Sequence, residues 1–155
     1  MVNWNIFTPQ FIAEMFLLAF LILFAFIDIK KKQLPSILTT SVLFVLAIVK
    51  INNLPYGILA GIFGWLLMEG FTEEEYGRFF SGVADLKITI MLGFMISSLG
   101  GFLILCILIV VYGVLYKVVM IKFFEQKEEV AFIPVFLLVF ITLILIEVFT
   151  NVKIF

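Results

Sequence analysis

The sequence predicts an all-α integral membrane protein of about six transmembrane helices, and three observations carry that expectation. Hydrophobic residues make up 65% of the 155 positions and charged residues only 14%, where a soluble domain holds about half apolar and a quarter charged residues. Apolar stretches of span-like length alternate with short polar segments along the whole chain. Lysines and arginine then gather on one side of the topology those stretches define. The length fits one domain, so residues 1–155 are read as a single transmembrane unit.

Each span has its own justification. The first apolar run covers 11–28. Positions 1–10 carry no charge, unlike the basic start of a cleavable signal peptide, so the run reads as a retained span. Asp28 closes it and Lys30, Lys31 and Lys32 follow, which marks a cytoplasmic end and an external N-terminus. Pro35 suits the first turn of a new helix, and the second span covers 36–51. Asn52-Asn53-Leu54-Pro55 is a turn signal on the outer side. The third span, 56–69, carries Gly57, Gly61 and Gly64, a spacing that implies close packing against another helix.

The next stretch, with Glu69, Glu73, Glu74, Glu75 and Arg78, is cytoplasmic by alternation. From Val83 to Val119 the chain is almost wholly apolar. One helix of that length would reach roughly 55 Å across a core of about 30 Å. Ser97-Ser98-Leu99-Gly100-Gly101 divides it into spans over 83–97 and 102–119. A cytoplasmic loop with Lys117, Lys122, Glu125, Lys127, Glu128 and Glu129 precedes the last span, 130–150. Lys30, Lys31, Lys32, Arg78, Lys87, Lys117, Lys122 and Lys127 then lie inside, with only Lys50 and Lys153 outside. That bias follows the positive-inside rule although it was not used to place the later spans.

Composition narrows the chemistry. The chain has no histidine and a single cysteine, which removes Ser-His triads, Cys-His dyads, histidine zinc motifs, CxxC metal sites and any intramolecular disulfide. Cys106 reads as a small hydrophobe within an apolar run. A net charge of −1 argues against a nucleic-acid partner, which needs a basic stripe. No cofactor or metal is expected. Catalysis, if present, rests on carboxylates, lysines, hydroxyls or backbone.

Asp28 ends the first span and Asp85 begins the fourth, at the same face and the same depth. An ionisable group at the edge of a hydrocarbon slab is costly and by default suggests function. Two carboxylates that share a site do not both ionise. One then serves as acid while the other activates water, the chemistry of an aspartic protease. The plain alternative is a pair of interfacial acids neutralised by nearby lysines.

Three local sequences bear on that choice. Asp28-Ile29-Lys30-Lys31-Lys32-Gln33-Leu34-Pro35 resembles the first aspartate motif of type IV prepilin and preflagellin (prearchaellin) peptidases. Gly82-Val83-Ala84-Asp85-Leu86-Lys87 resembles the GxGD motif of the same family, with its following lysine. Ala131-Phe132-Ile133-Pro134-Val135-Phe136 is similar to the Pro-Phe segment that opens its last span. The resemblance implies a membrane aspartic endopeptidase with Asp28 and Asp85 as the catalytic pair. It puts Gly82, Ala84, Lys87 and Pro134 on the substrate side of the site. The implied partners are membrane lipid and precursors with class III signal peptides, short basic leaders ending in Gly before a hydrophobic helix, cut at the cytoplasmic face of the cell membrane. Ala84 stands where the motif has its second Gly. The paired cysteines and cytoplasmic insertion of larger bacterial members are absent, so no separate methyltransferase domain is expected.

Helix ends suggest a division of labour. A helix N-terminus favours the Asp85 carboxylate and a helix C-terminus disfavours that of Asp28, so Asp28 is expected to carry the shared proton, although Lys30 to Lys32 oppose this. Glu69, Glu73, Glu74 and Glu75 either attract a basic leader or form a solvated loop. Glu14 and Glu147, near the outer face, receive no role, and the 20 phenylalanines read as lipid- and core-facing bulk. Other readings are a small multipass transporter handling ions at Asp28 and Asp85, or a non-catalytic assembly scaffold. A Ser81–Lys87 peptidase ranks last, because that spacing shares no helical face.

Overall fold

The structure, a computed structural model, describes residues 9–31, 35–70, 72–73, 77–78, 82–124, 131–150 and 153–155. Six helices fall on the six predicted spans: α1 (Pro9–Lys31), α2 (Ser36–Val49), α3 (Leu54–Gly70), α4 (Val83–Met95), α5 (Leu99–Phe124) and α6 (Ile133–Thr150). A 3-10 turn at Ile51–Asn53 leads into α3. Two-residue strands β1 (Thr72–Glu73) and β2 (Gly77–Arg78) pair antiparallel, Thr72 opposite Arg78. Lys32, Glu74, Glu75, Ser81 and the loop residues 125–130 of the sequence reading lie outside the described residues.

Among the described residues, four helices are long and apolar enough to cross a membrane, with windows at Gln10–Lys30, Ile51–Glu69, Leu99–Met120 and Ile133–Thr150. The other two are shorter. With 14 residues in α2 and 13 in α4, each rises about 20 Å, against a hydrocarbon core of about 30 Å. One expected boundary moves substantially: α5 continues to Phe124, so Lys117 and Lys122 belong to a helix and not to a loop. The Ser98–Gly101 break holds because the Ser98 hydroxyl accepts the Gly101 amide at 3.1 Å and starts α5 anew.

The apolar pattern explains the packing. α4 is buried along nearly its whole length, through Ile88, Thr89 and Met91 to Met95. Around it stand Leu17, Leu21 and Phe24 of α1, Leu46 of α2, Leu105 and Ile109 of α5, and Phe136, Val139, Phe140 and Leu143 of α6, in one continuous core. Outward positions are apolar as well: Ile37 is 83% and Phe149 79% exposed. A helix apolar all round belongs in a membrane or a large core.

The glycines of α3 act as the sequence implies. A Cβ added at Gly57 would lie 2.9 Å from the Phe94 ring, one at Gly61 3.3 Å from Ile90, and one at Gly64 2.9 Å from Leu86. Rising numbers on α3 meet falling numbers on α4, so the two helices run antiparallel at close approach.

Side-chain contacts also sort the helix ends. At one end the Asn53 amide donates to the Phe94 carbonyl at 2.9 Å. There the Ser97 amide donates to the Ile154 carbonyl at 2.8 Å, and Phe155 donates its amide to the Glu147 carboxylate at 3.1 Å. Glu14 interacts electrostatically with Glu147 and Lys50, and Lys50 with Lys153. The two aspartates lie at the opposite end.

Candidate active site

Asp28 stands in the last turn of α1 and is 8% exposed. Its Oδ2 accepts the Ile133 amide at 3.1 Å, and the Phe132 amide is a second donor. Ile133 opens α6, and the first amides of a helix have no intrahelical acceptor, so this carboxylate caps a helix other than its own. Pro134 follows immediately. With no N–H to satisfy, proline suits that first turn.

Asp85 is 4% exposed and sits in the first turn of α4. Its Oδ2 accepts the Gly82 amide at 3.3 Å, the reach back from the third helical residue to the cap. The Asp85 amide donates to the Gly82 carbonyl at 3.1 Å. One turn on, the buried Thr89 hydroxyl donates to the Asp85 carbonyl at 2.9 Å. Gly82 is extended, with φ −172°, and among the described residues nothing lies within 4 Å of where its Cβ would be. Ala84, next to Asp85, is half-buried.

Lys87 faces elsewhere. Its ammonium donates to the Ser36 and Thr40 hydroxyls at 2.8 Å each and reaches the Ser36 carbonyl at 3.5 Å. It therefore ties the second turn of α4 to the start of α2.

The expected helix-dipole asymmetry between the acids does not hold. Asp28 is at the C-terminal end of α1 but meets the N-terminal amides of α6, while Asp85 is at the N-terminus of α4. Both carboxylates thus meet the positive end of a helix. The dipole argument fails because it considered only the helix carrying Asp28, and a neighbour supplies the opposite end.

Two residues missed in the sequence distinguish the acids. Tyr116 interacts electrostatically with Asp28, and Lys117 with Asp85. They are consecutive and half-buried on α5, between exposed pairs Val114–Leu115 and Val118–Val119. A signal existed: the buried face Leu105, Ile109 and Gly113 repeats every four residues and continues into this pair. Reading Lys117 as the first residue of a loop concealed it. This turn of α5 thus lies at the same end of the bundle as the two acids. Among the described residues no three metal-ligating side chains gather.

Fold and site define a class: an all-helical protein with several helices able to cross a membrane and two buried carboxylates at one end of the bundle. Compared with known proteins, the chain matches no protein family, no curated protein and no solved structure.

Proposed function

We propose that this protein is a membrane aspartic endopeptidase that removes a short basic leader, after Gly, from precursors of the type IV prepilin or prearchaellin kind. The observation that carries the reading is that Asp28, in the last turn of α1, and Asp85, in the first turn of α4, are both buried at the same end of the bundle. The motif resemblance around both aspartates supports it.

The chemistry needs only these acids and water. The ionised carboxylate takes a proton from water, whose oxygen attacks the scissile carbonyl carbon. The protonated carboxyl gives its proton to the carbonyl oxygen, forming a neutral tetrahedral diol. Collapse of the diol breaks the C–N bond as a proton passes to the amide nitrogen. An acid and an amine leave, with no metal or cofactor consumed. Backbone amides from Ile133 and Gly82 fix both carboxyl groups, the preorganisation such a step requires.

In this reading all six helices cross the membrane, with the N-terminus outside and the aspartates at the cytoplasmic face. The short α2 and α4 recess that end by up to about 10 Å from the lipid surface, where a leader in water meets its apolar helix in lipid.

The test is cleavage of a pilin-like precursor by the purified full chain in nanodiscs, with N-terminal sequencing of the product. Cleavage after the leader Gly, lost in both Asp28→Asn and Asp85→Asn, is expected. Retained cleavage in either variant sinks the dyad.

A further inference from the structure

We propose that residues 153–155 are a latch. They lock α4, α5 and α6 together at the end opposite the aspartates, and so fix how α6, which holds Asp28, stands against α4, which carries Asp85. The inference rests on the peptidase reading for its catalytic meaning, while the latch itself stands without it.

The contacts of this segment run to all three helices. The Ser97 amide and hydroxyl, just past α4, both donate to the Ile154 carbonyl, at 2.8 and 3.3 Å. The Ser98 hydroxyl donates to the Lys153 carbonyl at 3.1 Å while it accepts the Gly101 amide. One hydroxyl thus starts α5 and grips the segment. A Cβ added at Gly101 would come within 3.1 Å of the Ile154 carbonyl oxygen and side chain, so the segment lies against the first turn of α5 where glycine leaves room. From α6, the Glu147 carboxylate accepts the Phe155 amide at 3.1 Å, and the Phe140 ring meets the Phe155 ring with 5.5 Å between centroids. Ile154 and Phe155 are 0% and 2% exposed. A short segment outside any helix is loose unless it is tied down. This one is tied by its backbone and by both large side chains.

The position of α6 is what the latch controls. Asp28 is held by the Ile133 amide in the first turn of α6, and Asp85 sits in the first turn of α4. Among the described residues, α6 packs more extensively along α1 and α5 than along α4. Direct packing therefore pins α6 to α4 only lightly, and the hydrogen bonds of the latch supply a directional tie between them. Rigid helices carry a displacement at one end to the other. With the segment released, α6 slides or turns against α4, and the mutual placement of the two acids loosens with it. Two carboxyl groups that act on one water tolerate little of that.

The test uses the full chain in nanodiscs with Phe155→Ala, in a Cys106→Ser background. A nitroxide at Lys153→Cys, an exposed position, reports whether the segment has come loose. Nitroxides at Val83→Cys and Leu138→Cys, both exposed, report the distance between the aspartate-bearing end of α4 and the early turns of α6. Neither readout needs activity. Phe155→Ala is expected to mobilise the label at 153 and to shift or broaden the 83–138 distance by about 1–2 Å, where wild type gives one narrow distance. In precursor cleavage, kcat is expected to fall by about 10- to 100-fold at unchanged KM, because the leader is met at the other end. A mobilised label at 153 with the wild-type 83–138 distance overturns the inference, whatever happens to the denaturation midpoint. A label at 153 that stays immobile in Phe155→Ala overturns it too. Should wild type cleave no precursor while the distance changes, the peptidase reading fails and the latch stands. If Phe155→Ala does not fold, Phe155→Leu, which stays apolar but loses the ring contact, is judged by the same two outcomes.

Discussion

Gly82 caps α4 and Gly93 lies in its last turn, and what surrounds each decides what it does. At Gly93 an added Cβ would collide with the Ala60 methyl and come within 2.6 Å of the Tyr56 carbonyl oxygen. Backbone cannot yield as a flexible side chain can, so Gly93→Ala is expected to cost about 1–3 kcal/mol, measurable as a lowered denaturation midpoint in detergent. At Gly82 no described residue stands within 4 Å of an added Cβ and the backbone is extended, so Gly82→Ala is expected to change stability by no more than about 0.5 kcal/mol. Gly82→Leu, bulkier at the same point beside Asp85, is expected to fold and to lose cleavage by excluding the substrate chain. Wild-type kcat/KM in Gly82→Leu would remove Gly82 from the substrate path. The sequence placed small residues at both positions, and only the neighbours reveal which is filled.

At the scale of elements, α4 organises the bundle: it carries Asp85, packs against the α3 glycines and ties to α2 through Lys87. Position and type of all six helices were legible, because long apolar runs broken by charge, Pro35, Asn52-Asn53 and Ser97–Gly101 leave little choice. The Gly57, Gly61 and Gly64 contact was legible too, since spacings of four and three residues keep to one helix face. The end of α5 was not. Charged residues at 117 and 122 mimic a loop, and only the partner on α4 reveals that Lys117 is turned inward. The destination of Lys87 was hidden for the same reason, because a hydroxyl pair on another helix leaves no local mark. Lys87→Met removes two hydrogen bonds from a cation to α2 hydroxyls, and is expected to lower stability by about 1 kcal/mol. If the ammonium serves α2, KM for the precursor stays unchanged. A raised KM at unaltered thermal midpoint would instead return Lys87 to the substrate.

The whole molecule carries its charge asymmetrically, and that asymmetry makes its orientation testable. Lys50 and Lys153, the two cations assigned to the outside, lie close enough to interact although 102 positions separate them in the chain, while Lys117 stands with Asp85 at the other end. One end therefore bears two lysines offset by Glu14 and Glu147, and the other bears Lys30, Lys87, Lys117 and Lys122. An inserting chain retains its lysine-rich short loops in the cytoplasm, so the aspartate end is expected to face inward. In a Cys106→Ser background, Asn52→Cys is expected to react with an impermeant maleimide added to intact cells, and Lys122→Cys only after permeabilisation. Both positions are exposed, so access and not burial determines labelling. Reaction of Lys122→Cys in intact cells with Asn52→Cys protected would invert the protein and put the dyad outside, where no precursor leader is met. Labelling of both from one side would break the alternation of α3, α4 and α5, and with it the arrangement that brings Asp28 and Asp85 to one membrane face.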